Sequence, residues 1–274
     1  MKFGFLVCFF MLMIVALVTA GVLIYVFLIK DQKKSSENNK PQSINQPLYY
    51  YPSSVQQQPV TSYYQATPYS PVNYYDENNI KGIYGEYSCY SQLKGFEQTG
   101  ARFITNVYVP KNGTETTEID LVMICQYGLF VIESKNFGGW IFGDENQTNW
   151  TQTLPNRWTG TQKQHFYNPI KQNRGHIKHL CNYLSGCIPV YSIIVFSDDC
   201  TLKSVKVTSS DVAVVYESNL FRAVNWVCSS TRPVLSQDDI VRIYNKLYPL
   251  SQVNMAVRQQ HVANIQRRFD NTKR

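Results

Sequence analysis

The chain has no glycine-rich phosphate loop of the Walker or dinucleotide type, which closes the common sequence routes to nucleotide binding. Charge is sparse: Asp, Glu, Lys and Arg make up 16% of the 274 residues, and there are 4 histidines. Two of these, His176 and His179, stand one helical turn apart but lack a third ligand, so they read as surface residues rather than a metal site. The seven cysteines (Cys8, Cys89, Cys125, Cys181, Cys187, Cys200, Cys228) are odd in number and irregularly spaced. That argues against a secreted disulfide framework and against a paired-cysteine zinc site, and leaves core positions or free thiols. No serine lies in a nucleophile motif, and no internal repeat is visible. Asn112, Asn146 and Asn149 each begin an Asn-x-Thr triplet, which would matter only in a secretory lumen; they are read as chance.

What is present starts with one long apolar run. Phe3 to Ile29 carries no formal charge and exceeds the ~20 residues a helix needs to cross a bilayer. Val18-Thr19-Ala20 has the small residues of a cleavage site, but the run continues through Val22 to Ile29, well past a signal h-region. Residues 1–34 are therefore expected to be a single-pass transmembrane anchor with a basic flank. Lys30, Lys33 and Lys34 outweigh Lys2 and the amino terminus, which places the rest of the chain in the cytoplasm. Residues 35–80 hold six of the 12 prolines and eight of the 20 tyrosines, mixed with Gln, Ser and Asn. With no helical or strand period, this stretch is expected to be a disordered tether. Residues 81–274 carry 21 Lys and Arg against 15 Asp and Glu, a net +6 that permits an anionic partner without requiring one.

In the folded part, Ile83, Tyr87, Tyr90 and Leu93 are spaced as the buried stripe of a helix ended by Gly95, with Glu86 beside the stripe. Phe103–Val109 reads as a strand. The segment around Trp150 and Trp158 is polar and aromatic, consistent with short strands and loops. Asn168-Pro169 starts a helix, with Asn as cap and Pro at the first helical position. Its apolar face is Ile170, Ile177, Leu180, Cys181 and Leu184, leaving Gln172, His176, His179 and Tyr183 on other faces. Strands follow at Val190–Phe196 and Val212–Tyr216, then a helix capped by Ser236. The order is helix, three strands, helix, two strands, helix: an α/β fold with a mixed β-sheet flanked by helices, residues 81–200 forming its main part and 201–274 an extension of the same domain.

Residues 118–135 carry the chemistry. Two apolar runs surround Gln126-Tyr127-Gly128, the pattern of a β-hairpin with largely buried strands. With the turn centred between Gln126 and Tyr127, Asp120 pairs with Glu133, and Lys135 shares their face by strand periodicity. Like charges directly opposed destabilise a sheet unless something neutralises them. A divalent cation such as Mg²⁺ would, and it would keep positions open for a phosphate oxygen and water. A salt bridge of Lys135 with both acids at a wet sheet edge satisfies the same spacing.

Gly85-Glu86 in the opening helix, Ile119-Asp120, the run Gly128 to Asn136 with Gly139, Trp150, and Asn168-Pro169 with Gln172-Asn173 occur in an order that resembles the nuclease-related domain family of the PD-(D/E)xK nuclease superfamily. Glu118 and Ser134 stand where that family often has Gln and Thr. The resemblance implies a restriction-endonuclease-like core. In it Asp120 and Glu133 ligate Mg²⁺ (or Mn²⁺), Lys135 positions the water, and Glu86 and Gln172 line the site. Joined to the expected anchor at residues 3–29, this gives a membrane-anchored, metal-dependent nuclease acting on DNA or RNA as the expected function. The alternative is a catalytically inactive module of the same fold that binds nucleic acid or a protein at the membrane.

Overall fold

The computed structural model describes residues 77–113, 115–156, 160–186 and 188–272. The apolar segment 3–29, its basic flank, most of the expected tether and Trp158 lie outside the described residues. Among those described, no helix is long and apolar enough to cross a membrane.

Two sheets carry the chain. The first has five strands in the order β1 (Arg102–Pro110), β2 (Thr116–Cys125), β3 (Gly128–Lys135), β7 (Val190–Phe196) and β9 (Val212–Tyr216). β1 to β3 run antiparallel; β3, β7 and β9 run parallel, so the sheet is mixed as expected. Every residue of β7 is buried, as a central parallel strand covered on both faces requires. Helices α1 (Glu77–Leu93) and α3 (Leu220–Ser230) cover one face, where Cys89, Leu93, Val224 and Val227 pack on Leu121, Met123, Phe130 and Ile193. Helices α2 (Pro169–Leu184) and α4 (Gln237–Leu247) cover the other, where Ile177, Leu180, Ile240 and Leu247 pack on Val122, Ile124, Val131 and Val190.

The second sheet has the order β6 (Gly160–Tyr167), β5 (Asn149–Asn156), β4 (Gly139–Asp144), β8 (Cys200–Lys206). Its inner face, including Ile141, Trp150, Phe166 and Leu202, packs with Phe196, Val212 and Val214 of the first sheet. A last helix, α5, spans Met255–Thr272.

Several sequence expectations are corrected here. The opening helix begins at Glu77, inside the stretch expected to be tether, and Gly95 does not end it. A 3₁₀ segment, Lys94–Thr99, follows and closes at Gly100 with φ 87°. The buried side of α1 is Gly85, Cys89 and Leu93, while Tyr87 is exposed. The reason is close approach: a Cβ on Gly85 would lie 2.7 Å from Ser134 Oγ and 3.2 Å from Asn136 Cβ, so the helix rests its glycine on β3. The element order is also richer, with β4 to β6 between the hairpin and α2, and β8, α3 and α5 beyond it.

The hairpin keeps the expected register. Leu121 opposes Ile132 and Cys125 opposes Gly128 across a turn at Gln126-Tyr127. Gly128 has φ 131°, and a Cβ there would sit 2.4 Å from the Pro189 carbonyl oxygen, which accepts the Leu129 N–H at 2.9 Å. The helix start at Asn168 is likewise as expected: its Oδ1 accepts from Ile170 N–H at 2.9 Å, with Pro169 at the first helical position.

Candidate active site

Strand alternation sends Glu133 and Lys135 toward the α2 side of the first sheet, beyond the apolar positions Leu129 and Val131. Glu133 is 1% exposed. Lys135 Nζ lies 2.5 Å from its Oε1 and donates also to Gln172 Oε1 at 3.3 Å. Gln172 and His176, one turn apart on α2, thus both face β3. His176 Nε2 stands 3.2 Å from Glu133 Oε2, and its Nδ1 is 2.6 Å from Thr117 Oγ1. Asn173 holds the helix in place, donating to Val131 O and Ser192 Oγ, each at 2.9 Å. The expectation that His176 lies on another face than Ile177 and Leu180 is therefore wrong; it is buried with them.

Asp120 lies one step beyond the last paired rung of the hairpin, opposite Glu133 by register. Its Oδ2 accepts the Ser134 N–H at 2.8 Å, so the side chain takes over where the ladder stops. On its other side β1 breaks as well. Thr105 pairs with Leu121 and Val107 with Ile119, but Asn106 between them adopts φ 52°. Ile104 and Val107 consequently point into the same core, and so do Ile119 and Val122. This switch of facing in both strands at Asn106 and Asp120 opens the sheet toward α1, where Glu86 Oε2 accepts from Asn106 Nδ2 at 3.2 Å. Ser134 is also the residue Gly85 packs against, so the helix carrying Glu86 is fixed to the strand carrying Glu133 and Lys135.

The electrostatics follow from this crowding. Burial first, then the charges of Glu133 and Glu86, hold the Asp120 carboxyl well above the usual range, against the pull of Lys135 and the Ser134 N–H. Burial and then Glu118 push Glu86 up to about 8, with Asn106 opposing and Glu133 adding. For Glu133, burial alone would raise the pKa, but Lys135 and His176 outweigh it and bring the carboxyl to about 2. Burial would lower the Lys135 ammonium, yet Glu133 and Asp120 raise it. The site therefore contains one firmly ionised acid and its lysine, with two neighbouring acids that resist ionisation.

Asp120 and Glu133 are the carboxylates that would hold a hard cation. Glu133 Oε2 and His176 Nε2 stand 3.2 Å apart with no other partner, and the charges of Glu133 and Glu86 act with burial to disfavour the charged form of Asp120. Among the described residues no group of three or more His, Cys, Asp or Glu is placed to hold a metal. Two carboxylates meet the needs of Mg²⁺, which retains water and commonly takes the rest of its ligands from phosphate. Among the described residues Cys89, Cys125, Cys181, Cys200 and Cys228 are buried and form no disulfide.

All five residues singled out in the sequence, Glu86, Asp120, Glu133, Lys135 and Gln172, fall in this one region. Sequence reasoning missed Asn106, Thr117 and the inward position of His176. An asparagine inside an apolar strand pattern was the available signal for the first, since Asn tolerates the left-handed region. The i, i+4 spacing of Gln172 and His176 was the signal for the last.

The family model of the nuclease-related domain matches residues 81–197, the range that contains all five residues. An uncharacterized protein of Bacillus anthracis is 30% identical over 189 residues, 69% of this chain and 85% of the relative. The chain belongs to the nuclease-related domain family. No solved structure matches it.

Proposed function

We propose that the chain is a membrane-anchored nuclease that cleaves phosphodiester bonds of DNA, or of RNA, with a divalent cation. The observation that carries this reading is the convergence of Asp120, Glu133, Lys135 and Gln172 at one end of the hairpin. Mg²⁺ or Mn²⁺ on Asp120 and Glu133 would neutralise the carboxylates, polarise a phosphate and acidify a bound water. Lys135 stabilises the negative charge that develops on the phosphate, and Gln172 fixes the direction of its ammonium. Glu86, protonated near neutral pH, offers a hydroxyl donor instead of a further negative charge. Residues 3–29 anchor the chain in the bilayer, with the domain on the cytoplasmic side.

The test is cleavage of duplex DNA, single-stranded DNA and RNA by the full chain in detergent with Mg²⁺ or Mn²⁺. Asp120→Ala and Lys135→Ala each abolish cutting while the protein stays folded. Cleavage at the wild-type level by both variants would overturn the assignment.

One observation favours a second reading. Glu133 already faces Lys135, so its charge is compensated within the chain, and His176 Nε2 stands 3.2 Å from its other oxygen. A binding module without turnover would keep its nucleic-acid or protein affinity in Glu133→Gln and show no dependence on Mg²⁺.

A further inference from the structure

The solvent side of the second sheet has an unusual composition. Register across β8, β4, β5 and β6 puts Thr201, Trp140, Thr153 and Lys163 in one row and Ser204, Phe142, Thr151 and His165 in the next. The alternate positions, including Ile141, Trp150 and Leu202, are those packed in the core, so these two rows lie on the opposite face, where Trp140, Thr201, Ser204, Lys163 and His165 are exposed and Thr153 is covered. Trp140 is 49% exposed, with Lys203 Nζ 5.4 Å from its ring centroid. Lys163 and Lys203 are both exposed. The carboxylate on this side, Asp144, stands in register with Lys206, and its Oδ1 accepts the Asn146 N–H at 2.8 Å. From Asn146 to Ser197, a stretch that includes β5 and β6, the sequence has no Asp or Glu.

An exposed indole set among lysines and threonines is the chemistry that takes a base by its π-face and the adjoining phosphates by charge. A lipid surface would call for a cluster of exposed apolar side chains, whereas the one apolar neighbour of Trp140 in these rows, Phe142, is half-buried. Duplex bases have their faces covered by stacking, so an aromatic platform selects unpaired nucleotides. We propose that this face binds single-stranded nucleic acid, with Trp140 stacking on a base and Lys163 and Lys203 contacting phosphates. The sheet is tied to the catalytic strand: β4 begins just after Lys135, and Gln152 Nε2 donates to Gly138 O at 2.8 Å. A strand held there is delivered by the same segment that carries Lys135. As a substrate contact the face rests on the nuclease reading; as a binding site it is tested separately.

The experiment measures anisotropy of a labelled oligonucleotide of about 15 nucleotides with the full chain in detergent and EDTA, at several salt concentrations. Trp140→Leu weakens binding by about fivefold to a hundredfold, while Trp140→Phe stays near wild type. The double variant Lys163→Gln/Lys203→Gln lowers the slope of log affinity against log salt by roughly 1.4. Absence of binding at low salt, binding by Trp140→Leu equal to Trp140→Phe, an unchanged salt slope, or tighter binding of duplex than of single strand would each overturn the proposal. Cleavage of the same oligonucleotide in Mg²⁺ is scored apart. Binding without cleavage keeps this site and removes the nuclease reading, whereas cleavage with Trp140→Leu binding as wild type removes this site alone.

Discussion

Asn106 donates its side-chain amide to Glu86 Oε2 across 3.2 Å from a left-handed backbone conformation, φ 52°. Two separate requirements meet in one residue, and substitutions can part them. Asn106→Gly keeps the backbone accessible and loses the hydrogen bond, so unfolding stability drops by about 1 kcal/mol. Asn106→Ala loses the bond and adds the left-handed penalty of about 1–2 kcal/mol. Thermal or urea unfolding of the two variants ranks them. An alanine no less stable than glycine would mean that the backbone is not held in this conformation.

The Glu133–Lys135 pair gives a sharper test, because Glu133 is nearly inaccessible while Lys135 retains 17% exposure. Lys135→Met strands a buried carboxylate and costs about 3–5 kcal/mol. Glu133→Gln costs less, since Lys135 can keep Gln172 and reach water. The double variant Glu133→Gln/Lys135→Met recovers much of the loss of Lys135→Met, and a double-mutant cycle by urea unfolding measures the coupling. Additive single effects would show that the pair is not coupled in the folded protein.

Glu86 makes stability depend on pH in a definite direction. Its folded pKa, about 8, lies above the ordinary 4.5, so the folded state holds the proton more tightly. Its contribution is full below pH 4.5 and is lost as pH rises toward and through 8. Glu133, brought down to about 2, works the other way: its contribution is present above pH 4.5 and fades as pH falls through 2. Glu86→Gln should therefore gain stability relative to wild type between pH 5 and pH 8.5. Unfolding midpoints that change in parallel for the two proteins over that interval would remove Glu86 as the cause.

The parts of the fold legible in the sequence are those fixed by local rules. The hairpin register was readable because Gln126-Tyr127 is the only polar break between two apolar runs, and Asn168-Pro169 and Ser236 mark their helix starts by capping chemistry. The buried side of α1 was not readable. Tertiary contact of Gly85 with Ser134 decided it, and Tyr87 was left outside despite its spacing. β8 escaped notice because Cys200–Lys206 is a mostly exposed edge strand without a strong apolar period. Asp120, Glu133 and Lys135 could be named from spacing and resemblance. The break at Asn106 that lets Glu86 approach them depends on two strands changing their facing together, which no single-segment pattern reports.

Topology decides whether the proposed membrane-anchored nuclease meets nucleic acid, and the described thiols are poor reporters of it. Cys89, Cys125, Cys181, Cys200 and Cys228 are all buried, so a maleimide would read their protection by the fold along with protection by the membrane. Gln98 lies exposed in the 3₁₀ segment after α1, away from the acidic cluster's hydrogen bonds. A Gln98→Cys variant should stay unlabelled by an impermeant maleimide in intact cells and become labelled once the membrane is permeabilised, with the unsubstituted chain as control. That outcome is expected from Lys30, Lys33 and Lys34 on the domain side of residues 3–29. Labelling of Gln98→Cys in intact cells would put the domain outside and leave an extracellular substrate as the one to assay.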